Sequence, residues 1–339
     1  MKIKPMTKFA ILALSLVLVA CAGGGSEAAG CPAIDGREIN VVATTPMIGE
    51  FVSQVGGENI NLTVLMPPEA NPHTYEPAPQ DAGTIAEADL VFYTGLLYEP
   101  AALVKLLENS ACSTDILSEV GESVFPIEFK EGGHDDHDDH DYEEGHDDHD
   151  DEEGHDDHEG HNHGAYDPHF WFDPSRVAYA AEYIESRLIQ FDPENESSYK
   201  SSADSFVSEL NDLTKQVSEL ISTVPSQNRK LITTHESLGY LEAKFGLEVL
   251  STIIPSLNSA NEISPSDLAG VIDVIEDNNV KVIFIESEAP SVYSETIVAE
   301  TGIKPVTGLY VETLKPGQSY SEFLISNVTL ITENLQDTD

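Results

Sequence analysis

Lys230-Leu231-Ile232-Thr233-Thr234-His235-Glu236-Ser237 is where the fold can first be read. A short apolar run bounded by polar residues has the length of a buried strand, and this one ends close to a histidine. A helical pattern follows, and Glu248–Thr252 reads as the next strand. Moving outward, the same alternation covers most of the chain. Ile39–Ala43, Ile60–Met66, Leu90–Tyr93 and Val124–Ile127 are the strands expected on the amino-terminal side. Lys230–Thr233, Glu248–Thr252, Val280–Ile285 and Lys304–Thr307 are those expected on the other. Four strands on each side, with helices between them, predict an α/β protein of two lobes. Each lobe is expected to hold a four-stranded parallel sheet flanked by helices.

The region between the two sets reads differently. Asp192-Pro193-Glu194 marks a helix start with proline in the first turn. Phe206, Leu210, Leu213, Val217, Leu220 and Val224 then recur at alternating spacings of four and three. That stripe predicts one amphipathic helix of about 30 residues, stopped by Pro225. Such a helix could seek a coiled-coil partner, but joining the lobes and packing on both is the better reading. The expected limits are 37–190 for the first lobe, 191–225 for the linking helix and 226–339 for the second lobe.

Ahead of the first lobe, Lys2, Lys4 and Lys8 precede an apolar stretch from Phe9 to Ala20, and Cys21 follows. Twelve such residues are too short for a bilayer core of about 30 Å. Residues 1–20 are therefore expected to be an export signal. Leu18-Val19-Ala20-Cys21 resembles a bacterial lipobox, which implies a lipidated Cys21 and a tether over residues 21–36. The mature chain would then be anchored to the membrane on the periplasmic or extracellular face. Cys31 and Cys112 remain, and an oxidising compartment permits a disulfide between them. Both precede expected strands of one parallel sheet, so the pairing is geometrically feasible. Two free thiols remain the alternative.

Composition narrows the function. Of 339 residues 40% are hydrophobic, enough for globular lobes, while the net charge is −45. So acidic a chain is no nucleic-acid binder and does not dock on anionic lipid through its protein surface. Residues 131–164 hold nine of the twelve histidines and seventeen acidic residues, too polar to bury a core. They are expected to form a disordered insertion. Its histidines are His134, His137, His140, His146, His149, His155, His158, His161 and His163. The repeated His-Asp-Asp-His lets neighbouring imidazoles share a cation weakly and at several places, since each site must first be ordered.

Three histidines lie outside the insertion. His73 stands in Asn71-Pro72-His73-Thr74-Tyr75-Glu76-Pro77, His169 in Asp167-Pro168-His169-Phe170-Trp171-Phe172-Asp173-Pro174, and His235 in the opening stretch. Glu286 and Glu312 hold comparable places after later strands. All five are expected beyond the carboxyl ends of strands, the edge where open α/β sheets bind ligands. Imidazoles with one carboxylate make a borderline-soft tetrahedral site, which suits zinc best. With ordinary imidazole pKa values near 6.5, binding is expected to weaken between about pH 7 and 5.

Asn71–Pro77, Asp167–Pro174 and Thr233–Gly246 resemble the signature stretches of the substrate-binding proteins of bacterial zinc and manganese ABC transporters. The resemblance runs from about Ile39 to the C-terminus, interrupted by the insertion. It implies two lobes joined by a rigid backbone helix, with one metal ion between them and a membrane permease as partner. By motif position the ligands fall on His73, His169, His235 and Glu312, where the family more often has aspartate. Glu286 falls in a segment that lines the site and orients ligands. A histidine at the position of His235 is typical of zinc members and a carboxylate of manganese members. Histidine-rich loops also accompany zinc members. The resemblance thus implies Zn2+ rather than Mn2+ as the bound ligand, on a monomer.

A zinc hydrolase is the competing class, because three histidines and a carboxylate also describe catalytic centres. Neither an HExxH helix nor a nucleophile elbow is present, and four protein ligands would close the site. An adhesin is a third reading, without specific support. Binding without turnover is the expectation.

Overall fold

The computed structural model describes residues 31, 34, 36–68, 70–129, 166–254, 264–288 and 292–336. The leader, Cys21 and the histidine-rich insertion lie outside them. Strands β1 (Ile39–Ala43), β2 (Ile60–Val64), β3 (Leu90–Tyr93) and β4 (Leu117–Glu119) form one sheet in the order β2-β1-β3-β4, parallel throughout. Parallel neighbours need crossover connections, and helices α1 (Pro46–Gly56), α2 (Pro79–Ala86) and α3 (Ala101–Ser110) supply them. The Thr45 hydroxyl accepts from the Ile48 N–H, and Pro46 follows it, so α1 starts within three residues of β1.

The fourth strand is not where the sequence pattern placed it. Gly121–Val124 forms a 3-10 turn, Phe125 is left-handed at φ 52°, and Pro126 has no N–H for a ladder. The pairing strand is Leu117–Glu119, three residues at the sheet edge. It is too polar to read as a strand because Ser118, buried, receives the Arg187 Nε–H at 2.8 Å.

After α4 (Pro174–Phe191) comes a 3-10 turn, Pro193–Asn195, and then α5 (Glu196–Ser222). Asp192 Oδ2 accepts from the Asn195 amide and the Tyr199 hydroxyl, which fixes the corner. Phe206, Leu210, Leu213 and Val217 are buried, and the stripe continues through Ile221 rather than Leu220. A helix of 3.6 residues per turn drifts from a strict alternation of four and three. The stripe rests on this chain's own helices: α4 and α1 on one side, α9 (Tyr320–Gln336) on the other.

In the second lobe β5 (Lys230–Thr233) pairs in parallel with β6 (Glu248–Thr252), and β7 (Val282–Glu286) with β8 (Lys304–Leu309). The expected single sheet is thus two two-stranded pairs lying side by side. Each pair shifts register once, at Leu231/Ile232 and at Ile285/Glu286, and such breaks disturb the even spacing of a parallel ladder. A side chain bridges the gap: the Glu286 N–H donates to Thr234 Oγ1 at 3.0 Å. Helices α6 (Gly239–Phe245), α7 (Pro265–Asp277) and α8 (Val292–Thr301) complete the lobe.

One apolar cluster runs from Ile39 and Val41 through Phe51, Trp171 and Leu213 to Phe284, Leu309 and Phe323. The lobes therefore share a core instead of touching only at a hinge. Cys31 and Cys112 are joined by a disulfide with their Cα atoms 5.0 Å apart, tying the chain before β1 to the chain before β4. Among the described residues no helix is long and apolar enough to cross a membrane.

Candidate metal centre

His73 sits in a 3-10 turn, Pro72–Thr74, beyond the end of β2, where the Asn71 side chain accepts from its N–H at 2.9 Å. His235 follows β5 directly. His169 does not follow a strand, because β4 ends at Glu119; it precedes the buried turn Phe170–Phe172 that leads into α4. Asp173 caps that helix by accepting from the Ser175 N–H, with Pro174 in its first turn. Glu312 lies three residues past β8.

These four residues meet. One ligand atom from each lies within 4.8 Å of all the others. Glu312 Oε1 is 3.1 Å from His73 Nε2, 3.4 Å from His169 Nε2 and 2.8 Å from His235 Nε2. The contact to His235 lies off the hydrogen-bonding direction and leaves that nitrogen without a partner. The imidazole centroids stand 5.3–6.0 Å apart. Glu312, His169 and His235 are buried, and His73 nearly so.

Carboxylates behind the rings fix which nitrogen faces inward. Asp167 Oδ1 accepts from both Nδ1 and the backbone N–H of His169, each at 2.8 Å. Glu286 bonds Nδ1 of His235 through one oxygen and the His235 N–H through the other. A ring that donates from Nδ1 turns its Nε2 lone pair to the centre.

The segment carrying Glu312 is held on every side. Asn327 of α9 bonds both the N–H and the C=O of Tyr310, and Trp171 Nε1 donates to the Val311 carbonyl at 2.8 Å. Glu288 Oε1 accepts from the N–H groups of Val311 and Glu312. The Tyr98 hydroxyl donates to Glu312 Oε2 at 2.8 Å. Asp167, Tyr98 and Glu288 were not expected to take part. Asp167 carried a local signal, since an aspartate two residues before a histidine can cap it. Tyr98, 214 residues away from Glu312, carried none.

Burial works against the imidazolium of His169, but the Glu312 charge and the Asp167 bond outweigh it and raise its pKa to about 9. For His235 burial is likewise outweighed, by Glu286 and Glu312, and the value rises to about 10. Burial alone would raise Glu312, yet the facing histidines hold it well below the usual carboxylate range. Burial and the Glu312 charge together raise Glu288 to about 7. Three imidazole nitrogens and one carboxylate oxygen converging in a buried cleft form a donor set for a divalent transition metal.

The family described as "Zinc-uptake complex component A periplasmic" matches residues 41–334. The chain belongs to this family. Its members are substrate-binding proteins of metal ABC transporters, working outside the cytoplasm with a membrane permease, and are not enzymes. The chain is 28% identical over 337 residues to the high-affinity zinc uptake system protein ZnuA of Bacillus subtilis, covering 96% of each. It is 26% identical over 341 residues to the manganese ABC transporter substrate-binding lipoprotein PsaA of Streptococcus anginosus, covering 98% of this chain and 99% of the relative. The fold matches the periplasmic zinc-binding protein TroA of Treponema pallidum with a TM-score of 0.72 at 21% identity. That match covers 88% of this chain and 99% of TroA. Fe(III)-bound YtgA of Chlamydia trachomatis matches with a TM-score of 0.70 at 25% identity, covering 88% and 98%.

Proposed function

We propose that this chain captures one Zn2+ between its lobes, on His73, His169, His235 and Glu312, and delivers it to the permease of a metal ABC transporter. The observation that carries this reading is the donor set. Three inward-facing imidazole nitrogens and a single carboxylate oxygen suit zinc, whereas manganese prefers oxygen-rich, higher-coordinate sites. Relatives bear both zinc and manganese names, and the donor set is what favours zinc in this reading. Glu286 and Asp167 orient the histidines from behind. Cys21 carries the lipid that holds the mature chain at the membrane, and residues 131–164 gather zinc weakly around the cleft. The division into lobes at 37–190 and 226–339, joined by a helix over 191–225, belongs to the same proposal. Metal analysis of protein purified without added metal, followed by competition between Zn2+ and Mn2+, tests it. Zinc should bind first and resist manganese; a chain that retains manganese against equal zinc would refute the reading.

A further inference from the structure

We propose that Tyr98 determines the metal preference of the site by holding Glu312 to a single coordinating oxygen. The inference rests on the zinc reading above and deepens it. The phenol hydroxyl donates to Glu312 Oε2 at 2.8 Å and also lies 3.3 Å from the carbonyl of the same residue. Oε2 is thereby occupied, and Oε1 alone faces the three Nε2 atoms. A glutamate is long enough to divide its two oxygens in this way, one toward the ion and one toward the phenol.

Packing prevents the tyrosine from swinging aside. Its ring is fully buried, set edge-on to His73 at 4.9 Å, to His169 at 5.9 Å and to Trp171 at 5.3 Å. The chain also accepts an unusual backbone to put it there. Gly95, Leu96 and Leu97 are left-handed in succession, at φ 76°, 53° and 60°. Leucine rarely adopts that region, and such residues persist only where the surroundings fix them. Here two carboxylates do so: Glu99 accepts from the N–H groups of Thr94 and Gly95, and Glu119 from that of Leu96.

With Oε2 withdrawn, the protein offers three nitrogens and one oxygen. Zinc is satisfied by four ligands in a tetrahedron, while manganese seeks further oxygens, which a bidentate carboxylate would help to supply. The Tyr98 hydroxyl therefore acts on the ion through Glu312, as a positioning residue.

Tyr98→Phe keeps the ring and removes the hydroxyl. With Co2+ as a probe, the wild-type protein should give the intense visible bands of tetrahedral cobalt. The variant should give the weaker bands of a higher-coordinate ion. The ratio of zinc to manganese affinity should fall about tenfold or more, as for loss of a hydrogen bond to a charged group. An unchanged spectrum and ratio in folded variant would overturn the role of Tyr98 and leave the zinc reading standing. X-ray absorption of the wild-type zinc protein needs no variant. Three nitrogens and one oxygen support the proposal, and a second carboxylate oxygen at bonding distance refutes it. Manganese outcompeting zinc in the wild type would remove the reading on which it rests, and the proposal with it.

Discussion

The carboxylate that faces the ion also keeps protons on the competing histidines. His169 and His235, at about 9 and about 10, are both imidazolium in the metal-free protein at neutral pH. A metal takes neutral imidazole, so each must lose a proton before it can bond. Affinity should therefore climb with pH through neutrality toward about 10, by about a hundredfold per pH unit near pH 7 if two protons leave. Calorimetry in buffers of different ionisation heat should count about two protons released per ion, and a count of zero would exclude this coupling. Competition with protons thus extends above the window between about pH 7 and 5 expected from ordinary imidazole values, because Glu312 and Asp167 raise His169, and Glu286 and Glu312 raise His235. Stability of the metal-free protein has the opposite sign. Raised imidazole values stabilise the fold fully below about 6.5, and that contribution is lost as pH rises through 9 and 10. His73→Ala, His169→Ala and His235→Ala should each weaken zinc binding strongly. Glu312→Ala should cost less, since losing its charge also lowers the proton affinity of the remaining rings. Asp167→Asn and Glu286→Gln should each cost about 10–100-fold in affinity, measured by chelator competition. The histidines could be found because each stands in a local motif. Tyr98 and Glu288 could not, because only tertiary folding brings them to Glu312.

Strand and helix identities were legible where burial is two-sided. β1, β3 and β5 match their expected limits, since parallel strands covered on both faces read as apolar runs, and β6 matches too although its residues are exposed or half-buried. β4 failed that test because it is short, polar and at an edge. Its misplacement also put His169 at the wrong kind of element, though not in the wrong place. The two-by-two pairing of the second lobe depends on register breaks that no periodicity reveals. The cysteines lay in between: their places before two strands of one sheet permitted a bond, and the fold brings them together. This disulfide links residues 81 apart in sequence, at the amino-end edge of the first sheet, whereas His73, His235 and Glu312 lie past the carboxyl ends of strands. Cross-linking restricts the unfolded chain, so Cys112→Ser should lower stability by about 2–4 kcal/mol in denaturant melts. Zinc affinity should stay nearly unchanged, because the bond and the site occupy opposite edges. A large loss of affinity would show that the edge is coupled to the cleft.

Across the whole molecule, the shared apolar core decides how the parts can be separated. Trp171, Tyr320 and Leu213 belong to one cluster that joins both lobes, so the donor atoms sit on a frame that does not depend on the insertion. The chain enters and leaves residues 131–164 at neighbouring points. Glu128 and Tyr166 form an antiparallel bridge, and the Asp167 N–H donates to the Ile127 carbonyl at 2.9 Å. Tyr240 of the second lobe clamps the same base: its hydroxyl accepts from the Ile127 N–H at 3.2 Å and donates to the Asp167 carbonyl at 2.8 Å. Deleting Gly132–His163 leaves residues 129–131 and 164–165 to join Glu128 to Tyr166, a loop of ordinary hairpin length. The deletion should therefore preserve one tight zinc per molecule at nearly unchanged affinity. Histidines spaced along an acidic segment still raise the local cation concentration, so the additional weak sites should vanish and capture should slow at low zinc. Calorimetric titration and stopped-flow uptake by intact and deleted protein separate the two effects. Loss of the tight site on deletion would make a histidine of the insertion a primary ligand and would displace one of the four assigned here.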